Sequence, residues 1–546
     1  MSMYSFHPRK SAARAIRVSI CGALLATTAA FAATPAAAEP RQGGTVTIAV
    51  PFFPVCLDPS LSQGRQSVAT YQIIDTLTDQ DEAGEIVPGI AEKWDIGDGY
   101  KQFTFHLKKG VTFSDGTPLD AEAAALTFTT LKAIIGTGQA DPLSQNALAS
   151  FVEAKALDEH TLRLTFAHPE LGFLRNASDP YLGLYARSTL AKSVAERCAG
   201  NLVGSGPFVI QSVAKNQEIV LANRQDYNWP PAVAHHSGRA YLDKVIFRVV
   251  PESGVRVGGV GSGEFDLADE LLVTDISQAE ATGGKIVVGV VPNLVPGISQ
   301  NPFSPLGGDP AVLAALQKGV DRKEITDTLY DGVYALPTSI VASNTSLWVD
   351  LSKELAYDPE GARKTLDDAG WRLGTDGIRE KDGVKLQGKF TFIVGNSFGA
   401  TQEELELVKQ QLARIGFGVT IIPVTQAEHG ANLKNKKNVP APYDFLSGSG
   451  ASKDIDFLAG LFMKSNIRLD GADQPGLEER AQALKTASTP EARTAAAAEL
   501  QRFVAIGGYW VPLREQTRIV GVNPVVQDYK LDGYAAHDFY DVWLSR

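Results

Sequence analysis

The sequence predicts an α/β protein with more than one domain, and two observations carry that expectation. Strand-like stretches of alternating apolar residues and stretches with helical spacing are interleaved along the chain, which argues against a pure bundle or barrel. The 546 residues exceed one ordinary domain and point to two or three. A third observation is local. Residues 389–394 read as a strand, 401–415 as a helix stopped by Gly416, and 418–424 as a second strand, a compact β-α-β unit.

The elements follow in order. Arg9, Lys10, Arg14 and Arg17 form a basic start, an Ala-rich apolar stretch runs from Val18 to about Ala33, and Ala36-Ala37-Ala38 precede Glu39. This is the pattern of a cleavable secretory signal peptide over 1–38. The apolar stretch falls short of the roughly 20 residues a membrane span needs. Cys21 follows Ile20, where lipid attachment asks for a small residue, so the expected product is soluble and periplasmic. The net charge is −11, and loss of the four basic leader residues makes the remainder more acidic. An acidic surface argues against nucleic acid and anionic membranes as partners. Cys56 and Cys198 remain after cleavage. A disulfide and a pair of buried thiols are both open. No His cluster lies near them, so no metal site is expected.

Gly43 to Val50 reads as a buried strand, ended by Pro51, Pro54 and Pro59. Residues 67–78 have helical spacing, with Ser67 as N-cap. Residues 100–113 read as a hairpin turning at Lys109-Gly110, followed by a turn over 114–118 and a helix capped by Asp120. Residues 151–157 and 161–167 form a strand pair, and 207–212, 217–223 and 243–250 are further strands. A Pro- and Gly-rich loop over about 292–308 separates the halves. Beyond it come helical stretches at 309–330 and 358–369, the β-α-β unit, a strand at 443–447 and an Ala-rich helix at 490–506.

One long block is specific. Ile86 to Phe128 carries Pro88, Gly89, Ala91, Glu92, Trp94, Gly110, Val111, Phe113, Asp115, Gly116 and Pro118. Gly204-Ser205-Gly206-Pro207-Phe208, the run from Asn223 to Trp229, Gly263-Glu264-Phe265-Asp266, Asp321-Arg322 and Tyr357-Asp358-Pro359 follow. In this order the chain resembles the family 5 extracellular solute-binding proteins, the ligand-capturing components of ABC importers. The resemblance implies two lobes around a hinged cleft, with an extra subdomain in the first lobe. The first lobe would comprise 39–75, the subdomain 76–203, and then 204–295. The second would be 296–509, with 510–546 returning to the first. It further implies a monomer that captures a small solute, most readily a short peptide, and delivers it to membrane permease subunits. An opine, a sugar or a metal chelate are the alternatives.

The resemblance also points to site residues. A ligand amine meets an acid in a second-lobe loop, for which Asp454 and Asp456 are the candidates. Here Ser447-Gly448-Ser449 stands where an aromatic is usual and Ile455 where a proline is usual. Arg65, in the loop after the first strand, is the candidate for a ligand carboxylate, since a guanidinium fork suits it. Asn301 and Phe303 lie where the second lobe begins.

One motif argues for an enzyme. Gly395-Asn396-Ser397-Phe398-Gly399 matches G-x-S-x-G between a strand and a helix, which with His537 suggests a serine hydrolase. Against it, no oxyanion segment lies upstream, and 51 glycines make a chance match easy. No P-loop, zincin or dinucleotide fingerprint is present, and no cofactor is expected. The expectation is a binding protein and not an enzyme.

Overall fold

Three sheets carry the fold. The structure is a computed structural model and describes residues 39–61, 68–394, 399–452 and 454–546. Residues 1–38, Arg65, Ser67 and Ser397 lie outside them. The first sheet has seven strands, in the order Lys285–Val290, Thr517–Val522, Leu267–Ala268, Thr45–Val50, Lys244–Val249, Glu218–Asn223, Phe208–Ala214. Thr45–Val50 is central and lies parallel to both neighbours. Val46, Ile48 and Val50 alternate into one buried cluster, as its β-branched pattern requires.

The second sheet has five strands, in the order Gly418–Val424, Gln387–Ile393, Phe445–Ala451, Asn293–Gln300, Trp510–Pro512. The first three are parallel, joined in part by the β-α-β unit. A third, antiparallel sheet of Ala91–Gly97, Gln102–Leu107, Thr161–Phe166 and Phe151–Asp158 builds the subdomain. Helix Ala121–Ile135 covers it. Its Ala124, Phe128 and Leu131 recur at helical spacing and are buried, and Asp120 accepts the Ala123 N–H as N-cap.

The chain leaves the first sheet at Val290 and enters the second at Asn293. It returns between Pro512 and Thr517. These two crossings make the molecule two-lobed, with 291–292 and 513–516 as the connecting segments. Among the described residues no helix is long and apolar enough to cross a membrane.

Four sequence expectations change. The expected loop at 292–308 contains the fully buried strand Asn293–Gln300. Pro296 is tolerated because it falls at a register shift between Leu294 and Gly297. The helix expected at 67–78 is a single 3-10 turn, Thr70–Ile73. Its continuation is pre-empted because the Gly206 N–H takes the Ile73 carbonyl. A Cβ on Gly204 would stand 2.0 Å from that oxygen, which explains the Gly-x-Gly block. The hairpin expected within 100–113 is absent, since Gln102–Leu107 pairs instead with Ala91–Gly97 and Thr161–Phe166. Arg224 draws the Thr112 and Phe113 carbonyls out of the sheet. Finally, 309–330 is two helices, Pro310–Gly319 and Arg322–Tyr330, parted at Val320 and Asp321.

Candidate ligand cleft between the lobes

In open α/β sheets a ligand sits beyond the carboxyl ends of parallel strands, where successive connections diverge. The first lobe has one such point, at the end of Thr45–Val50. The loops leaving its three parallel strands supply Pro51, Phe52, Phe53 and Pro54, Val249, and Asp269 with Glu270. Together with Phe247 and Arg518 they line a small pocket of about 30 Å³. Its walls are apolar and its floor is charged. Asp269 is buried and meets Arg518 Nε at 3.0 Å and His537 Nε2 at 3.2 Å. Burial alone would raise the Asp269 pKa, but Arg518 and His537 hold it below the carboxylate range. Glu270 is pushed upward by burial and by Asp269, and only loosely held by Arg518 at 3.5 Å. A larger cavity of about 280 Å³, framed by residues such as Asp75, Trp229, Lys530 and Asp538, lies beside the C-terminal return instead of at these strand ends.

The loop that carries Phe52 and Phe53 is fastened just beyond them. Cys56 and Cys198 are joined in a disulfide. Next to it, buried Asp58 accepts from Arg197 Nε at 2.8 Å and from Tyr185 OH at 3.1 Å.

Among the described residues, two contact zones join the lobes. One is at the hinge. Asn344 donates to the Val290 carbonyl at 2.7 Å, Ser343 donates to Glu515, and Tyr334 packs on the first-lobe cluster around Phe265. Arg514, buried in the returning segment, pairs with Glu404 at 2.8 Å and lies over the Tyr330 and Tyr334 rings. The other zone lies between subdomain and second lobe. Asp454 is buried and faces Arg175 at 4.0 Å. A Cβ on Gly172 would fall 2.9 Å from its carboxylate, so the chains touch closely there.

The candidate site residues are dispersed. Asp454 and Asp456 stand together, but Arg493 from helix Pro490–Ile506 spans both, at 2.5 and 2.9 Å. Asn301 is fully buried and braces the backbone, donating to the Lys436 and Tyr443 carbonyls while accepting the Phe303 N–H. Phe303 lies under the Lys437 ammonium. Arg65 is outside the described residues. Asp269 and Glu270 were not singled out from sequence, although two acids just beyond the short strand Leu267–Ala268 that follows the Gly-Glu-x-Asp block are the available signal. His537 is enclosed by Asp269 and Tyr529. Among the described residues no group of His, Cys, Asp or Glu is arranged to hold a metal ion.

The second contact zone holds two acids whose pKa values are pushed upward. Glu170 lies in the subdomain, receives the Ser150 hydroxyl, and faces Asp454. Burial, then Asp454, raises its pKa from 4.5 to about 7, against Ser150 and Lys485. Burial, then Asp454, likewise raises Asp456 to about 7, against Arg493. An acid with a raised folded pKa binds more protons folded than unfolded in that window, so its contribution to stability falls as pH rises through the folded value. We expect the melting temperature to rise as pH is lowered from about 8 to about 5, and Glu170→Gln to flatten that rise. Calorimetry across the range checks this; an undiminished slope in the variant counts against it.

Comparison with known proteins agrees with the fold. Residues 85–464 match the bacterial extracellular solute-binding proteins, family 5 Middle. The Nickel-binding periplasmic protein of Escherichia coli (strain K12) is 26% identical, covering 76% of this chain and 79% of its own. Di/tripeptide-binding protein 1 of Pseudomonas aeruginosa (strain UCBPP-PA14) is 22% identical, covering 88% and 90%. The crystal structure of NikA from Brucella suis in complex with Fe(III)-EDTA superposes with a TM-score of 0.78 at 19% identity, covering 92% of this chain and all of that one. Since the family match spans most of the chain and the two lobes it implies are present, the protein belongs to the family 5 bacterial extracellular solute-binding proteins, a binding component and not an enzyme.

Proposed function

We propose that this protein, exported by a cleavable signal peptide over 1–38, works as a monomer in the periplasm. It captures a short peptide between its lobes and delivers it to the permease of an ABC importer. The observation that carries the reading is the pocket at the carboxyl ends of the parallel first-lobe strands, with two acids at its floor. Of the two, Asp269 is already engaged by Arg518 and His537. Glu270 is held less, so it is the group we assign to the ligand amine, in place of Asp454 and Asp456, which Arg493 engages. The named relatives bind di/tripeptides or nickel, and the peptide class fits an amine-receiving acid.

A thermal-shift screen tests this, because a ligand that binds only the folded state raises the melting temperature. Trialanine is expected to raise it, and Glu270→Gln to weaken binding by about 10- to 100-fold, the range for a lost charge-assisted hydrogen bond. If no peptide shifts the transition while a sugar, an opine or a nickel chelate does, the peptide assignment fails.

A further inference from the structure

Arg468 stands apart from the other buried or partly buried arginines. Arg197, Arg493 and Arg514 each meet a carboxylate, and Arg322 donates to the carbonyls of Pro512, Val320, Leu355 and Gln317. Among the described residues, the Arg468 guanidinium meets no carboxylate and no hydrogen-bond acceptor. The titratable groups facing it are the Tyr443 phenol and the His429 imidazole, neither of which brings a negative charge at neutral pH. It lies over the Trp510 ring, 5.3 Å from its centroid. It also approaches strand Phe445–Ala451 so closely that a Cβ on Gly448 would stand 3.2 Å from Nη2. Burial lowers its pKa, yet a guanidinium stays charged. The side chain is only partly buried, and a cation drawn partly out of water without an anion beside it is a ready receiver for one.

Its place in the fold says where that anion comes from. Strands Gln387–Ile393, Gly418–Val424 and Phe445–Ala451 are parallel, so their carboxyl ends form one edge. His429 belongs to the first turns of the helix that follows the second of them. Gly448, Ser449 and Gly450 end the third, and they remain partly exposed. Gly448 lets the guanidinium pack directly against these strand ends, which lie in the second lobe as the Asp269–Glu270 pocket lies in the first.

We infer that Arg468 receives the carboxylate of the captured solute, its planar fork held flat by Trp510 and open to the cleft beside Gly448. The inference rests on the interlobe-capture reading and gives it a polarity. The amine end of the solute is directed to the first lobe and the carboxylate end to Arg468 in the second.

Two readouts test it on the purified protein without its leader. The first needs no ligand. Arg468→Met, which keeps length and apolar packing, is expected to melt at or above the wild-type temperature. A drop of several degrees would mark Arg468 as a structural cation on Trp510 and overturn the inference. The second is calorimetric affinity for trialanine and trialaninamide. Wild type should prefer the free acid by about 10- to 100-fold, Arg468→Lys should retain part of the preference, and Arg468→Met should bind both alike. A preference that survives in Arg468→Met overturns the inference and leaves peptide capture standing. If wild type binds neither peptide, peptide capture fails, and succinate and succinamide replace them as probes. A succinate-induced shift absent from Arg468→Met keeps the assignment; a shift that survives, or no shift, ends it.

Discussion

Replacing Cys56 and Cys198 together by serine is expected to lower stability by about 2–5 kcal/mol. The bridge joins residues 142 apart in sequence, and its removal frees a long loop in the unfolded chain, which places the effect toward the upper part of that range. The cost is not only entropic. The bridge fixes the loop after strand Thr45–Val50 to helix Val194–Cys198, and Leu57 donates to the Cys198 carbonyl beside it. Phe52 and Phe53, a few residues upstream, line the first-lobe pocket. The double variant is therefore expected to lose ligand affinity as well as stability. Urea unfolding of wild type and variant measures the first, and calorimetry the second. Equal unfolding midpoints, with two free thiols titrating in the native wild type, would refute the bridge.

Replacing Arg493 by methionine is expected to cost about 3–5 kcal/mol, the range for breaking one side of a buried ion pair. Asp454 is almost wholly buried, and Arg493 is its closest cationic partner, at 2.5 Å against 4.0 Å for Arg175. Burial would lower the Arg493 pKa, but Asp454 and Asp456 outweigh it and hold the guanidinium above its ordinary value. Without it, two adjacent acids face Glu170 across the subdomain contact with less compensation. The triple variant Arg493→Met, Asp454→Asn, Asp456→Asn is expected to recover most of the loss, since the cost is mainly uncompensated charge. Thermal unfolding of the wild type and both variants measures this. A single variant as stable as wild type would remove the ionic account of this contact.

The scaffold was legible in the sequence because local chemistry specifies it. Asp120 caps the helix it precedes and Gly416 adopts the left-handed conformation that ends another, whereas Asp321, which caps Arg322–Tyr330, went unread inside one expected helical stretch. Strand Gly418–Val424 and helix Pro490–Ile506 match the ranges read from periodicity. Strand Asn293–Gln300 was hidden because it is buried on both faces and contains Pro and Gly, so it lacks alternation and mimics a turn. The cleft was much less legible. Asp454 could be noticed as an acid in a loop, but its meeting with Arg493, 39 residues away, is set by tertiary packing. Arg468 shows no motif, and its meaning lies in the absence, among the described residues, of acceptors around it.

The late return of the chain bears on how this protein matures. Strand Thr517–Val522 fits between Lys285–Val290 and Leu267–Ala268, and without it that side of the first sheet cannot assemble. The first lobe therefore cannot close until residues 517–522 have been translated. The second sheet likewise gains its edge strand, Trp510–Pro512, only late. Until then neither sheet has its full set of strands. A fold tied together by this late segment therefore completes its packing late.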